Sequence, residues 1–92
     1  MKSFSDIGKE IGELVEEKQA AYGDSFGRSG QIMKVLYPDG ISLDKMEDAL
    51  TVVRIIDKLF RIATKKGALG ESPYRDVAGY ALLAIKRDEE NK

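Results

Sequence analysis

Three observations predict an all-α fold of four helices, three longer and one short, in a single domain spanning residues 1–92. Apolar side chains recur at helical spacing through most of the chain. Capping residues stand where each periodic stretch begins or ends. No alternating segment is flanked by hairpin turn chemistry, so no strand is expected. Ninety-two residues suffice for one domain and leave nothing for a second.

The first helix is expected over about residues 4–22. Ser3 followed by Asp6 forms a capping box, and Phe4, Ile7, Ile11, Leu14, Val15, Lys18 and Tyr22 share one face. Glu10, Glu13, Glu16 and Glu17 lie on the other, Gly8 and Gly12 are one turn apart, and Gly23 closes the helix as a C-cap. Residues 23–30 hold three glycines and four polar residues and read as a loop, with a short helix over 31–37 ended by Tyr37-Pro38-Asp39-Gly40. Ser42 is the expected N-cap of a third helix over about 43–66, stopped by Gly67. Ser72-Pro73 pairs an N-cap with a first-turn proline and opens a fourth helix, 73–89, with fraying expected over 88–92.

The third helix carries the most information. At about 100° per residue its apolar side chains sweep roughly two-thirds of the circumference, where a surface helix needs about 100°. Such a helix is either central in the fold or shared with another copy, and in so short a chain a homo-oligomer through this helix is expected. The remaining stripe holds Glu47, Arg54, Asp57, Lys58, Arg61 and Lys65. Arg54, Asp57, Lys58 and Arg61 are spaced i, i+3, i+4, i+7 and form one row. Two arginines and a lysine steered by a carboxylate suit a phosphate, because a guanidinium meets phosphate oxygens bidentately. The same spacing also describes a solvated face with helix ion pairs. Asp76 opens a fourth helix whose residues 77–85 carry no charge. It reads as a partner for the basic row, a metal ligand, or a complement to the helix dipole. Tyr80, one turn on, reads as a base-stacking ring or a buried tyrosine.

Two motifs match only in part. The run Gly23 to Ser29 has the flavour of a phosphate-binding glycine loop, but it is one residue short, has arginine for lysine, and follows no strand. A looser reading keeps its backbone N–H groups, Arg28 and the start of the second helix as an anion site. Glu13, Glu16 and Glu17 match part of the acidic helix of MazG-type pyrophosphohydrolases, but the companion Glu-x-x-Asp occurs nowhere.

Composition narrows the function further. The chain has no histidine and no cysteine, which excludes histidine- or cysteine-based nucleophile systems, thiol redox chemistry and the usual zinc sites. Any metal would be a hard ion on oxygen ligands. The net charge of −1 disfavours a DNA-coating protein, yet it hides a separation. Residues 1–40 hold five basic and seven acidic side chains, 41–66 six and four, and 67–92 four and five. With no signal-like segment and no run of about 18 apolar residues, a cytoplasmic protein without membrane contact is expected.

Three ordered blocks, 18–26 (KQAAYGDSF), 54–62 (RIIDKLFRI) and 76–83 (DVAGYALL), resemble small phage and prophage proteins that carry a nucleotide-modification-associated domain. The resemblance spans roughly residues 13–85 and implies an all-helical fold and a role in handling nucleotides during infection of a bacterium. Lys18, Tyr22, Arg54, Asp57, Lys58, Arg61, Asp76 and Tyr80 fall on the matching blocks. With Arg28 they form the expected ligand-binding set, Tyr22, Phe26 or Tyr80 stacking on the base.

The expected function is therefore binding of a nucleotide or nucleotide-derived signal without a cofactor or metal, one version being a counter-defence sponge. One alternative is a Mg²⁺-dependent nucleotide pyrophosphohydrolase with Glu13, Glu16, Glu17, Asp57 and Asp76 as candidate ligands. Another is a phage inhibitor that docks on a host protein.

Overall fold

A computed structural model describes residues 1–91, and over them the chain is an all-α bundle of four helices with no strand. The helices are α1 (Phe4–Tyr22), α2 (Ser25–Leu36), α3 (Met46–Lys65) and α4 (Pro73–Glu90). A 3₁₀ turn, Leu43–Lys45, leads into α3, and a second, Ala68–Gly70, lies between α3 and α4. No helix among the described residues is long and apolar enough to cross a membrane.

α1 has its expected bounds. The Ser3 hydroxyl accepts from the Asp6 N–H at 3.2 Å, and the Asp6 carboxylate accepts from the Ser3 N–H at 3.1 Å, which satisfies two donors at the open end of the helix. Gly23 ends it at φ 66°, its N–H donating to the Gln19 carbonyl. A Cβ at this position would also run into the Thr64 hydroxyl of α3.

The second helix departs from expectation. The glycine-rich stretch expected to be a loop is helical from Ser25, and α2 has twelve residues. Two consecutive left-handed residues, Gly23 and Asp24 (φ 56°), reverse the chain without any longer linker. The Asp24 carboxylate then accepts from the Gly27 N–H at 3.2 Å and caps the new helix. Glycine at 27 makes room for that cap, since a Cβ there would lie 2.6 Å from an Asp24 carboxylate oxygen. Two helical glycines cost about 1 kcal/mol each relative to alanine. Contacts of Ser25 and Arg28 with α3 oppose that cost.

α3 is central, packing against α1, α2 and α4. Its wide apolar surface is thus partly covered within one chain. The 3₁₀ turn replaces its expected first turn, and the Ser42 hydroxyl donates to the Asp44 carboxylate at 2.5 Å instead of capping a backbone N–H. α3 and α4 form an antiparallel pair pinned at both ends. Arg87 meets Asp48 at 2.5 Å and Glu47 at 3.6 Å near one end, and Lys58 meets Asp76 at 3.4 Å near the other. The Ser72 hydroxyl caps α4 by accepting from Arg75 N–H, with Pro73 at the first helical position. α4 continues through residues 88–90, where fraying was expected; Lys92 lies outside the described residues.

The interior is slight. Ala21, Ala49, Ile56, Ala68 and Pro73 are the buried apolar side chains among the described residues, and twenty large apolar ones are exposed. The radius of gyration is 16.4 Å, with extents of 53 × 29 × 29 Å. A compact domain of this length would have about 12 Å.

Candidate functional site

The basic row of α3 is graded in exposure by its neighbours. Arg61, deepest, is 0% exposed, so the charged stripe is sealed at this end rather than open to solvent. Its guanidinium lies 4.9 Å from the centroid of the Tyr22 ring of α1. One terminal nitrogen, Nη1, meets Glu71 at 2.9 Å and Asp76 at 3.5 Å. Among the described residues its Nε and Nη2 have no acceptor. A fully buried cation needs acidic partners, since removing an ion from water costs several kcal/mol, and Glu71 and Asp76 supply them at Nη1. Arg61 is therefore bound into the structure rather than offered to solvent.

Lys58, one turn earlier, is mostly covered and shares the Asp76 carboxylate with Arg61. Asp76 holds two cations of α3 with one side chain, which realises the partner reading. Arg54, a further turn back, is exposed and has no ion-pair partner among the described residues. Its guanidinium sits 5.5 Å from the centroid of the Tyr80 ring of α4. The face of an aromatic ring attracts a cation by roughly 0.5–1 kcal/mol at an exposed site. This holds the arginine in place while its N–H fork stays open.

Around Arg54 lies a cleft of about 430 Å³, lined by Ser25, Phe26 and Ser29 of α2, Val53, Arg54, Asp57 and Lys58 of α3, and Tyr80 of α4. The Ser25 hydroxyl donates a short hydrogen bond to Asp57 Oδ1, and the Ser29 hydroxyl donates to the Ser25 carbonyl. The first bond ties α2 to α3 and orients the Asp57 carboxylate, and the second lies within the first turn of α2. Phe26, 98% exposed, stands at the rim. Two cations, one engaged carboxylate, two rings and two hydroxyls thus face a small concave space.

Of the residues singled out from sequence, Arg54, Asp57, Lys58 and Tyr80 line this cleft. Asp76, Arg61 and Tyr22 stand behind it as a connected set. Arg28 lies elsewhere on α2, its guanidinium 5.7 Å from the Phe60 ring centroid. Because residues 25–30 are helical, no glycine loop with free N–H groups exists for it to serve. Lys18 is on an exposed turn of α1 and lines no part of the cleft. Ser25 and Ser29 also line the cleft, although the three glycines around them read as a loop in the sequence. Their i, i+4 spacing behind an Asp N-cap is the signal that could have found them. The candidate magnesium ligands do not converge: among the described residues no three acidic side chains gather where one ion could be held. Glu13, Glu16 and Glu17 are exposed on α1, apart from Asp57 in the cleft.

Fold and site together define a small all-helical protein with a cleft between three helices, cationic on one wall and aromatic at its edges. Comparison of the chain with protein-family models, with curated proteins and with solved structures gives no match.

Proposed function

We propose that the cleft between α2, α3 and α4 binds a phosphorylated small molecule of the nucleotide class. The observation that carries this is Arg54, an exposed guanidinium seated on the Tyr80 ring at the wall of the cleft. An arginine held by its face with its N–H fork open suits a phosphate. Lys58, held by Asp76, adds positive charge to the same wall. Phe26 and Tyr80 offer surfaces on which a base can stack, and Ser25 and Ser29 sit where a sugar or base edge would lie. A cleft of this size is in the range that small-molecule sites occupy.

Binding without turnover is the reading that the side chains favour. The chain offers no histidine or cysteine for proton transfer or nucleophilic attack. Among the described residues no group of three acids converges on the cleft for a metal-activated water. The likeness to phage nucleotide-modification-associated proteins supplies a setting, the cytoplasm of an infected bacterium, in which holding a nucleotide signal out of circulation is useful. To test this, the protein is incubated with Mg²⁺ and a pool of linear and cyclic nucleotides, and retained and free fractions are weighed by mass spectrometry. An intact nucleotide in the retained fraction supports the reading. New monophosphate and pyrophosphate point to a hydrolase instead, and an empty retained fraction rejects both.

A further inference from the structure

From its N-terminus to Ala20 the chain is exposed at every residue, and Ala21 is the single buried residue of α1. α1 meets α3 near its own C-terminal end, where Gly23 abuts Thr64 and Phe60 and Tyr22 covers Arg61. The rest of the helix is an arm. Its apolar side chains are not scattered: Phe4, Ile7, Ile11 and Leu14 follow spacings of three, four and three, with Lys18 at the next step and Val15 alongside. That is the a/d seam of paired helices. Phe4 is 96% exposed and Ile11, mid-seam, 55%.

We propose that this seam is covered by the same seam of a second copy of the chain, so that two protomers associate through their α1 arms. The exposed area of one chain is 7244 Å². A monomeric protein of this size exposes about 5,300 Å². The excess, about 1,900 Å² per chain, is of the magnitude that obligate homodimers bury. The need for cover is permanent, because the buried apolar core among the described residues is only four small or medium side chains and Pro73. A second copy is the one partner present whenever the chain is made. From Phe4 to Leu14 the seam itself carries no charged side chain. Glu13 and Glu16 point away from it, and Glu10, at its flank, is paired with Lys2 at 2.8 Å. An isolated helix of this length is marginal in water, so pairing also explains how the arm stays helical.

Two measurements test the proposal. Light scattering during gel filtration of the whole chain should give at least twice the chain mass, and Ile11→Asp should lower it to a single chain. A stripe variant can unfold, so the second measurement leaves the seam nearly intact. The chain has no cysteine, and a single Cys at position 7, 11 or 14 therefore reports its own surroundings. Under a mild oxidant or a short thiol–thiol cross-linker, at least one of Ile7→Cys, Ile11→Cys and Leu14→Cys should be captured as a dimer in high yield. Glu13→Cys, facing outward, should not. A single-chain mass at every concentration overturns the proposal. So does an assembly in which none of the three seam cysteines cross-links.

Discussion

The guanidinium of Arg61 lies 4.9 Å from the centroid of the Tyr22 ring, and through that contact the last turn of α1 seals the most deeply placed charge in the molecule. The pair joins the two halves of the structure. Asp76 and Glu71 hold Arg61 from the α4 side, and Tyr22 covers it from the α1 side. The same Asp76 steadies Lys58 at the cleft, so the buried cation and the exposed site share a carboxylate.

Arg61→Ala is expected to destabilise the fold by about 2 kcal/mol, the scale on which emptying a buried side-chain site acts, while the half-exposed carboxylates of Glu71 and Asp76 become solvated. Arg61→Met, similar in length and without charge, should recover much of the loss, since it refills the buried space that alanine leaves empty. Urea denaturation followed by circular dichroism checks both. Equal stability of wild type and Arg61→Ala would show that the burial contributes nothing.

Ser25→Ala removes the donor that α2 offers to Asp57 of α3. A part-buried carboxylate losing a hydrogen bond costs about 1–2 kcal/mol. The expected result is a moderate fall in stability, together with faster amide hydrogen exchange confined to α2. A fall spread evenly over all four helices would contradict the local role given to this bond.

Gly23→Ala is expected to be among the most damaging single-methyl changes in the chain. It forces a side chain into φ 66° and against the Thr64 hydroxyl. The left-handed backbone alone costs about 1 kcal/mol, and the clash adds to it. Combining it with Thr64→Ala should return the part due to the clash and leave the backbone part, which thermal denaturation of the single and double variants resolves.

The carboxyls of Asp6 and Asp44 are held below the ordinary aspartate range. For Asp6 the main cause is the Ser3 backbone N–H, then the Ser3 hydroxyl; for Asp44 it is the Ser42 hydroxyl, then its own backbone N–H. A carboxyl with a lowered folded-state pKa adds stability above its unfolded value, near 3.9. That contribution is lost as pH falls through the folded-state pKa. The N-terminal turn of α1 should therefore loosen as pH falls below about 4, seen as changing amide shifts for residues 3–7. Asp6→Ala should loosen that turn at neutral pH and remove the dependence.

Much of this architecture was legible from periodicity and caps. α1, α3 and α4 have nearly the bounds that Ser3, Gly23, Gly67 and Ser72-Pro73 mark out. α2 was half lost, because three glycines in eight residues argue against a helix unless Asp24 is known to cap it from a left-handed conformation. The site followed the same division. Arg54, Asp57 and Lys58 share one row of a correctly placed helix, and Tyr80 lies a turn beyond Asp76 on the next, so spacing alone brought them together. Ser25 and Ser29 were hidden with α2. The burial of Arg61 was not legible from α3 itself, since the ring and carboxylates that enclose it arrive from α1, Glu71 and α4.

The central claim is that Arg54 at the wall of the cleft receives a phosphate. Arg54→Glu tests it most directly, because this side chain is exposed and bears on no ion pair among the described residues, so the fold should survive the change. Nucleotide retention from the mixed pool is measured after gel filtration for wild type and variant at matched helicity. Wild type is predicted to carry an intact nucleotide and Arg54→Glu to lose at least about tenfold in retention, the equivalent of one charge-assisted pair. Equal retention by both proteins would contradict the account.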